Sequence, residues 1–102
     1  MKWIERIIDV SNYNVKTLWN DGIVREINLK DFLIEKGKNP NSSYNKLLDL
    51  ETFKKVKCDG TTLCWENQIE YIDVDGSIKK GSLDIAPELL FEISVPNYKE
   101  VI

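Results

Sequence analysis

Three Asp-Gly dipeptides constrain the fold of this chain more than any other feature of its sequence. Asp21-Gly22, Asp59-Gly60 and Asp75-Gly76 each lie between two stretches rich in β-branched and aromatic residues. Glycine readily adopts the positive φ that tight hairpin turns need, and a type I′ turn needs it at both central positions. The sequence therefore predicts three β-hairpins and an antiparallel sheet.

The first thirty residues predict a three-stranded meander. Residues 4–10 and 13–19 are strand candidates with a tight connection at Asn12. One face of the second strand carries every other residue, namely Tyr13, Val15, Thr17 and Trp19. The third strand directs three apolar side chains to one face, Ile23, Ile27 and Leu29, with Arg25 as the exception.

A helix is predicted next, over Leu29–Lys36. Asn28 can cap it by accepting from the backbone near Asp31, and Gly37 is a natural end. The helix directs Leu29, Phe32 and Leu33 inward. After a loop over 38–43, one or two short helical turns are indicated by the spacing of Tyr44, Leu47, Leu48 and Phe53, and Asp49 can cap the second turn.

The second half predicts two more hairpins and a final helix. Lys54–Cys58 pairs with Thr62–Glu66, with Val56, Leu63 and Trp65 directed inward. Gln68–Val74 pairs with Ser77–Lys80, but Ile72 and Val74 fall on the face opposite Ile69 and Tyr71, which favours a bulge or a strand covered on both sides. The helix over about 86–93 buries Leu89, Leu90 and Ile93, with Pro87 in its first turn and Asp84 bonded to that turn's free amides.

These elements predict one α+β domain over residues 1–95. Its core is an antiparallel meander sheet built from hairpins, with two or three short helices packed on it. Residues 68–83 are interpreted as an added hairpin, and residues 96–102 as a C-terminal tail that frays. The expected structural anchors are Trp19, Gly22, Trp65, Asp84 and Pro87.

The chain of 102 residues contains no histidine and only two cysteines, Cys58 and Cys64. Without histidine it lacks the commonest general base and the usual zinc ligand. We therefore expect no catalytic residues, no metal and no cofactor. The absence of a signal-like segment and of a long apolar run predicts a cytoplasmic protein with buried, free thiols.

Charge is distributed unevenly along the chain. Residues 58–102 hold nine acidic and three basic side chains, a net charge of −6, whereas residues 36–57 have a net charge of +4. The acidic part favours a basic protein partner, and the candidate contact residues are Glu66, Glu70, Asp73 and Asp75. Two solvated faces of opposite sign are the simpler interpretation. Nucleic-acid binding is disfavoured, because no stacking platform or helix-turn-helix accompanies Lys54, Lys55 and Lys57.

Two acidic patterns have chemical alternatives. Asp73-Val74-Asp75-Gly76 is similar to the middle of a calcium loop, but Tyr71 and Ser82 then occupy the first and twelfth ligand positions, so a hairpin turn is favoured. Asp84, Glu88 and Glu92 recur every four residues and could perform acid–base chemistry or hold a hard cation. A solvated helix face plus a cap is favoured, because no glycine-rich phosphate loop, nucleophile motif or second acidic cluster accompanies them.

Several phrases of the sequence resemble a family of small bacterial proteins classed as a domain of unknown function. They are Trp19-Asn20-Asp21-Gly22, Leu63-Cys64-Trp65-Glu66-Asn67 and Asp84-Ile85-Ala86-Pro87-Glu88-Leu89-Leu90-Phe91. Family members usually pass from the second phrase almost directly to the third, whereas residues 68–83 intervene here. The resemblance implies an α+β fold, a gene often next to toxin-like genes and an antitoxin-like or regulatory role. No catalytic residues carry over from it.

Three hypotheses follow. The first is a non-enzymatic module that binds a protein, basic or toxin-like, through its acidic C-terminal part, with self-association through an open sheet edge as a variant. The second is a regulatory domain that binds a small molecule between sheet and helix, with Trp19, Trp65 or Tyr71 as walls. The third is an enzyme that uses Asp84 and Glu88.

Overall fold

The computed structural model describes residues 1–100 and confirms the predicted α+β class, with two antiparallel sheets rather than one. The elements in chain order are β1 (Ile4–Ser11), β2 (Asn14–Trp19), β3 (Val24–Asn28), α1 (Lys30–Lys36), a 3-10 helix (Ser43–Leu48), α2 (Leu50–Phe53), β4 (Lys57–Cys58), β5 (Leu63–Ile72), β6 (Ile78–Asp84), α3 (Pro87–Ile93) and β7 (Val95–Pro96). The strand orders are β1-β2-β3-β7 and β4-β5-β6.

All three predicted hairpins form at their Asp-Gly dipeptides, but the turns are not of type I′. In each dipeptide only the glycine has positive φ, between +80° and +88°. Each aspartate acts through its carboxylate instead, accepting from backbone amides two or three residues ahead. Such Asx turns hold the loop while leaving the aspartate in an ordinary conformation. Asn12 has a φ of +52° and makes the predicted tight connection.

The first sheet confirms most of the predicted meander. Val15, Thr17 and Trp19 of β2 are buried, and Tyr13 is half-buried as it donates a hydrogen bond to the Leu48 carbonyl. Ile23 lies opposite Trp19, on the predicted face, but is only partly buried, whereas Val24 of the other face is buried. The backbone carbonyl of Ile23 instead closes the turn by accepting from the Trp19 amide at 3.1 Å.

Residues 95–100 continue the first sheet. Val95–Pro96 pairs with β3 as strand β7, and the Asn97 amide donates to the Val24 carbonyl at 2.8 Å. The Glu100 carboxylate lies 2.9 Å from the Lys16 ammonium. The predicted domain boundary at residue 95 therefore falls inside a paired strand, and of the predicted tail only residues 101–102 lie outside the described residues.

The second sheet consists of the short strand β4 and the long hairpin of β5 and β6. The pairing of β5 with β6 shifts between Trp65 and Ile69, and Asn67 within this shift has a φ of +61°. This bulge precedes Ile69, whereas the irregular alternation pointed to a position between Tyr71 and Ile72, where the pairing is regular. The segment 68–83, interpreted as an added hairpin, is thus part of one continuous hairpin, and its last residues belong to the core with Leu63 and Trp65, since Leu83 is buried.

The helices agree with the sequence in position more than in their capping. Asp49 caps α2 as predicted, through its Oδ2 and the Thr52 amide. The N-cap of α1 is Leu29 rather than Asn28, although Asn28 Oδ1 accepts from the Lys30 amide at 3.0 Å. The predicted cap of α3 by Asp84 was wrong, since Asp84 is an exposed residue of β6 that accepts from the Ser82 hydroxyl.

One hydrophobic core joins both sheets and the helices. Trp19 and Trp65 are the largest residues of this core. Each α-helix adds a fully buried side chain to it, namely Leu33 of α1, Phe53 of α2 and Leu90 of α3. Both indoles have hydrogen-bond partners: Trp19 Nε1 donates to Thr17 Oγ1 at 2.9 Å, and Trp65 Nε1 donates to the Phe53 carbonyl at 3.0 Å. The predicted anchoring roles of the two tryptophans are therefore packing roles. In α3 only Leu90 is fully buried; Leu89 and Ile93 are partly so.

Candidate interaction surface

The distal half of the β5–β6 hairpin, residues 68–80, projects beyond the core; we call it the ribbon. Neighbouring residues of a strand point to opposite faces, and the neighbours Tyr71 and Ile72 are 51% and 76% exposed. Both faces of the ribbon are thus in contact with solvent. The dimensions of the molecule agree, at 50 × 26 × 22 Å, with a radius of gyration of 14.5 Å against about 13 Å for a typical 100-residue domain.

One face of the ribbon ends in a cluster of exposed aliphatic side chains. Ile72 of β5 lies directly opposite Ile78 of β6, and Val74 stands in the turn beside them. Ile78 is 71% exposed and Val74 is fully exposed. Several exposed branched side chains close together at the end of a projecting hairpin are typical of an interaction surface. We call Ile72, Val74 and Ile78 the aliphatic tip.

Charged residues surround the aliphatic tip. Glu70 pairs with Lys80 across the ribbon and on the same face, one step closer to the core. Asp73 and Asp75 lie in the turn itself, where Asp75 Oδ1 accepts from the Ser77 hydroxyl and amide. The Ser77 hydroxyl, followed by its amide, lowers the pKa of Asp75 below its usual value. The turn therefore keeps its negative charge at neutral pH.

The four predicted contact residues do not form one patch. Glu70, Asp73 and Asp75 belong to the ribbon, and Glu70 and Asp75 are exposed. Glu66 instead lies before the bulge, where its carboxylate is 3.2 Å from the Lys57 ammonium. The ion pair joins Glu66 to the lysine-rich segment that precedes β5.

The aliphatic tip was missed as a site by sequence reasoning. The signal was present, since Ile72 and Val74 fall out of phase with Ile69 and Tyr71. That pattern predicted a bulge or burial on both sides of the strand. The strand pairs regularly from Ile69 to Ile72, and the out-of-phase apolar residues face solvent instead.

The other face of the ribbon is stiffened by an aromatic contact. The Tyr71 ring lies over Gly81, and a Cβ built on that glycine would be 3.4 Å from the ring edge. An aromatic side chain that covers a glycine in a strand restores apolar contact where the glycine provides none. Ile69 next to it is partly buried against the core, so this face anchors the ribbon to the rest of the molecule.

The aromatic walls expected for a small-molecule site do not enclose one. Trp19 and Trp65 are 1% and 0% exposed and fill the core, while Tyr71 lies on the projecting ribbon. An open polar groove of about 540 Å³ lies on the outer face of the first sheet, lined by Asn14, Lys16 and Glu26 among others. None of the three aromatic residues lines it.

The cysteines are free, as the sequence predicted. Cys58 lies opposite Leu63, and Cys64 lies opposite Lys57, so the two thiols do not face each other across the hairpin. Burial raises the pKa of both thiols, which keeps them protonated at neutral pH and weakens them as nucleophiles.

The carboxylates considered for acid–base chemistry are spread over the surface. Asp84 ends β6, whereas Glu88 and Glu92 lie on α3, and all three are exposed. Across residues 1–100 there is no group of three or more Cys, Asp or Glu side chains placed to hold a metal ion.

No protein-family model, no curated protein and no solved structure matches the chain. In the part of the chain that the structure describes, no helix is long and apolar enough to cross a membrane. The fold defines an α+β protein of two antiparallel sheets with a projecting, amphipathic hairpin.

Proposed function

We propose that this chain is a non-enzymatic interaction module, with an antitoxin-like or regulatory role in the cytoplasm, that binds a protein partner through its ribbon. The observation that carries the proposal is the aliphatic tip. Three branched side chains, each more than 70% exposed, lie at the end of a projecting hairpin, where Ile72 and Ile78 are direct cross-strand partners and Val74 is in the turn. Burying them against a partner would contribute about 1.5–3 kcal/mol per side chain, less the cost of ordering the interface.

The charges around the tip favour a partner with a basic rim. Three carboxylates, of Glu70, Asp73 and Asp75, stand beside the tip against the two ammonium groups of Lys79 and Lys80. The net charge beside the tip is therefore negative, as is the net charge of residues 58–102 as a whole. Such charges mainly accelerate encounter and select the partner, while the apolar contact supplies most of the affinity.

The resemblance of the Trp65 and Pro87 phrases to the bacterial domain of unknown function supports the antitoxin-like role. In that family the neighbouring genes often encode toxin-like proteins. The ribbon is the segment that separates the two phrases in this chain, so we propose that it adapts a shared body to a particular partner. The first candidate to test is the product of the adjacent gene.

The test is a binding measurement with the purified chain and the purified product of that gene. Replacing Ile72 and Ile78 by threonine keeps the β-branched shape and removes apolar surface from the tip. We expect this double variant to bind at least about tenfold more weakly, the equivalent of 1.4 kcal/mol. Val95→Thr is the matched control, since Val95 is a strand residue that is 65% exposed on β7.

Salt dependence gives a second readout. Raising the ionic strength from about 0.05 M to about 0.5 M should slow association, because screening shortens the reach of the acidic rim. If the ribbon double variant and Val95→Thr bind the partner as tightly as the unmodified chain, the ribbon is not the docking surface. If the unmodified chain fails to bind the gene product at either ionic strength, the proposed partner is wrong.

A further inference from the structure

The outer edge of β6 is open. β6 is the last strand of its sheet, and its one paired neighbour is β5. Apart from its ladder with β5, no backbone hydrogen bond within residues 1–100 involves residues 78–84. A strand edge of seven residues with free amides and carbonyls is a template for another strand.

The backbone groups on this edge belong to the even-numbered residues. At one end of β6 the Ser77 carbonyl accepts from the Asp73 amide, and at the other end the Ile85 amide donates to the Leu63 carbonyl. Along an antiparallel strand, the backbone N–H and C=O groups of successive residues point alternately toward one neighbouring strand and toward the other side. The odd-numbered residues from 77 to 85 therefore form their backbone hydrogen bonds with β5. The backbone groups of Ile78, Lys80, Ser82 and Asp84 therefore point outward.

The side chains on this edge are self-complementary in charge. Lys80 and Asp84 stand two residues before and two residues after Ser82, and all three are exposed. Neither Lys80 nor Asp84 forms an ion pair with any other residue of the described chain. The Asp84 carboxylate accepts from the Ser82 hydroxyl through Oδ1 at 3.0 Å, which holds it on the same face as Lys80.

We propose that β6 pairs with β6 of a second copy of this chain, antiparallel, about a two-fold axis at Ser82. In this register Lys80 of each copy lies directly opposite Asp84 of the other, so two ion pairs flank the axis. Registers centred on Lys80 or on Asp84 would oppose like charges, which is unfavourable across a strand pair. The two three-stranded sheets then form one continuous sheet of six strands.

This dimer leaves the aliphatic tips free. Ile78 lies at the end of β6 remote from the axis, and the two ribbons point in opposite directions because the strands are antiparallel. The dimer would present two docking tips on one rigid sheet. The inference stands whether or not the tip binds a partner, since it concerns a different surface.

The decisive experiment is a charge swap measured by sedimentation equilibrium on the purified chain. Lys80→Asp and Asp84→Lys each create like-charge pairs at both sides of the axis. Each should raise the dimer dissociation constant by about tenfold or more, because opposite charges are replaced by repelling ones twice per dimer. The double variant that carries both changes restores opposite charges and should return the constant to near its original value.

Lys79→Asp is the matched control, since Lys79 is an adjacent exposed lysine on the other face of the strand. It should leave the dissociation constant within about twofold, as expected of a surface change away from a contact. The Ile72→Thr, Ile78→Thr variant should also dimerise normally, which separates this inference from the docking role of the tip.

A cross-link gives a second, geometric test. Residues opposite each other in antiparallel strands have Cα atoms about 4.5–5.5 Å apart, within the range that a disulfide spans. Ser82→Cys, with Cys58→Ser and Cys64→Ala to remove the other thiols, should form a disulfide-linked dimer on mild oxidation. Ile78→Cys in the same background should not.

The proposal is overturned by either of two results. One is a chain that stays monomeric from about 1 μM to about 1 mM, the range in which weak interfaces form. The other is a dimer that both single charge variants leave intact. A dimer that the single variants weaken and the double variant restores supports the register at Ser82.

Discussion

Replacing Gly37 by alanine is expected to destabilise this protein even though the backbone there suits any residue. Gly37 ends α1 with a φ of −94°, outside the left-handed region that favours glycine. A Cβ at this position would lie 2.7 Å from the Leu33 carbonyl oxygen and 3.1 Å from Asn45 Cα. Both are backbone atoms that cannot rotate away, so α1 or the 3-10 helix would have to move.

The magnitude follows from two opposing effects. Alanine restricts the unfolded chain more than glycine does, which by itself stabilises a protein by about 0.4–1 kcal/mol where the native φ is compatible. Forcing a methyl group into a packed site costs about 1–3 kcal/mol. The net expectation is a loss of about 1–2 kcal/mol, which for a domain of this size lowers Tm by roughly 5–15 °C.

The assay is urea and thermal unfolding followed by circular dichroism, with two other glycines as controls. Gly22→Ala meets no atom within 4 Å but has a φ of +80°, so its expected loss of about 1–2 kcal/mol comes from conformation alone. Gly81→Ala meets only the Tyr71 ring at 3.4 Å and should stay within about 0.5 kcal/mol of the unmodified chain. A Gly37→Ala variant as stable as the parent would refute the packing argument.

Two further predictions concern the first sheet. Thr17→Val should cost about 1–3 kcal/mol in urea unfolding, because valine removes the hydroxyl that donates to the Arg25 carbonyl and leaves the buried Trp19 indole N–H, which donates to that hydroxyl at 2.9 Å, unpaired; an equally stable variant would show that these bonds contribute nothing. Asp21 is expected to make stability depend on pH: burial raises the pKa of Asp21, but the Ile23 amide and the Lys2 ammonium outweigh it, so the folded pKa lies below the unfolded one. Its contribution is present above the unfolded pKa and is lost as pH falls through the folded pKa. Unfolding between about pH 2 and pH 6 should therefore show a smaller acid loss for Asp21→Asn than for the parent, and identical profiles would contradict this.

The residues whose structure was predicted correctly are those marked by a short motif or by an alternation pattern within a few neighbouring residues. The Asp-Gly dipeptides marked all three hairpins because a hairpin turn needs one residue at positive φ, and glycine supplies it. The alternation of Val15, Thr17 and Trp19 identified the buried face of β2. The out-of-phase residues Ile72 and Val74 had a different cause from the bulge they suggested, since the bulge at Asn67 precedes Ile69 and the pairing at Ile72 is regular.

The predictions that failed depended on contacts between distant residues. Asp84 has the sequence position of a helix cap, but strand pairing carries it through to the end of β6, away from the amides of α3. Val24 is buried although it lies on the face of β3 opposite Ile27, which the alternation of residues within the strand does not indicate. The last residues were predicted to form a tail, yet β7 pairs with β3 across roughly seventy positions of sequence.

The sequence by itself determined the α+β class, the hairpin positions, the free thiols and the two tryptophans as core residues, since each depends on short-range spacing and composition. Only the tertiary structure decided which apolar residues are exposed and which strand edge is open. The exposure of a side chain depends on which other elements of the chain cover it. The local sequence around Ile72 and Ile78 does not show whether a helix packs over these two residues. Both proposed surfaces, the aliphatic tip and the β6 edge at Ser82, are for that reason properties of the assembled fold.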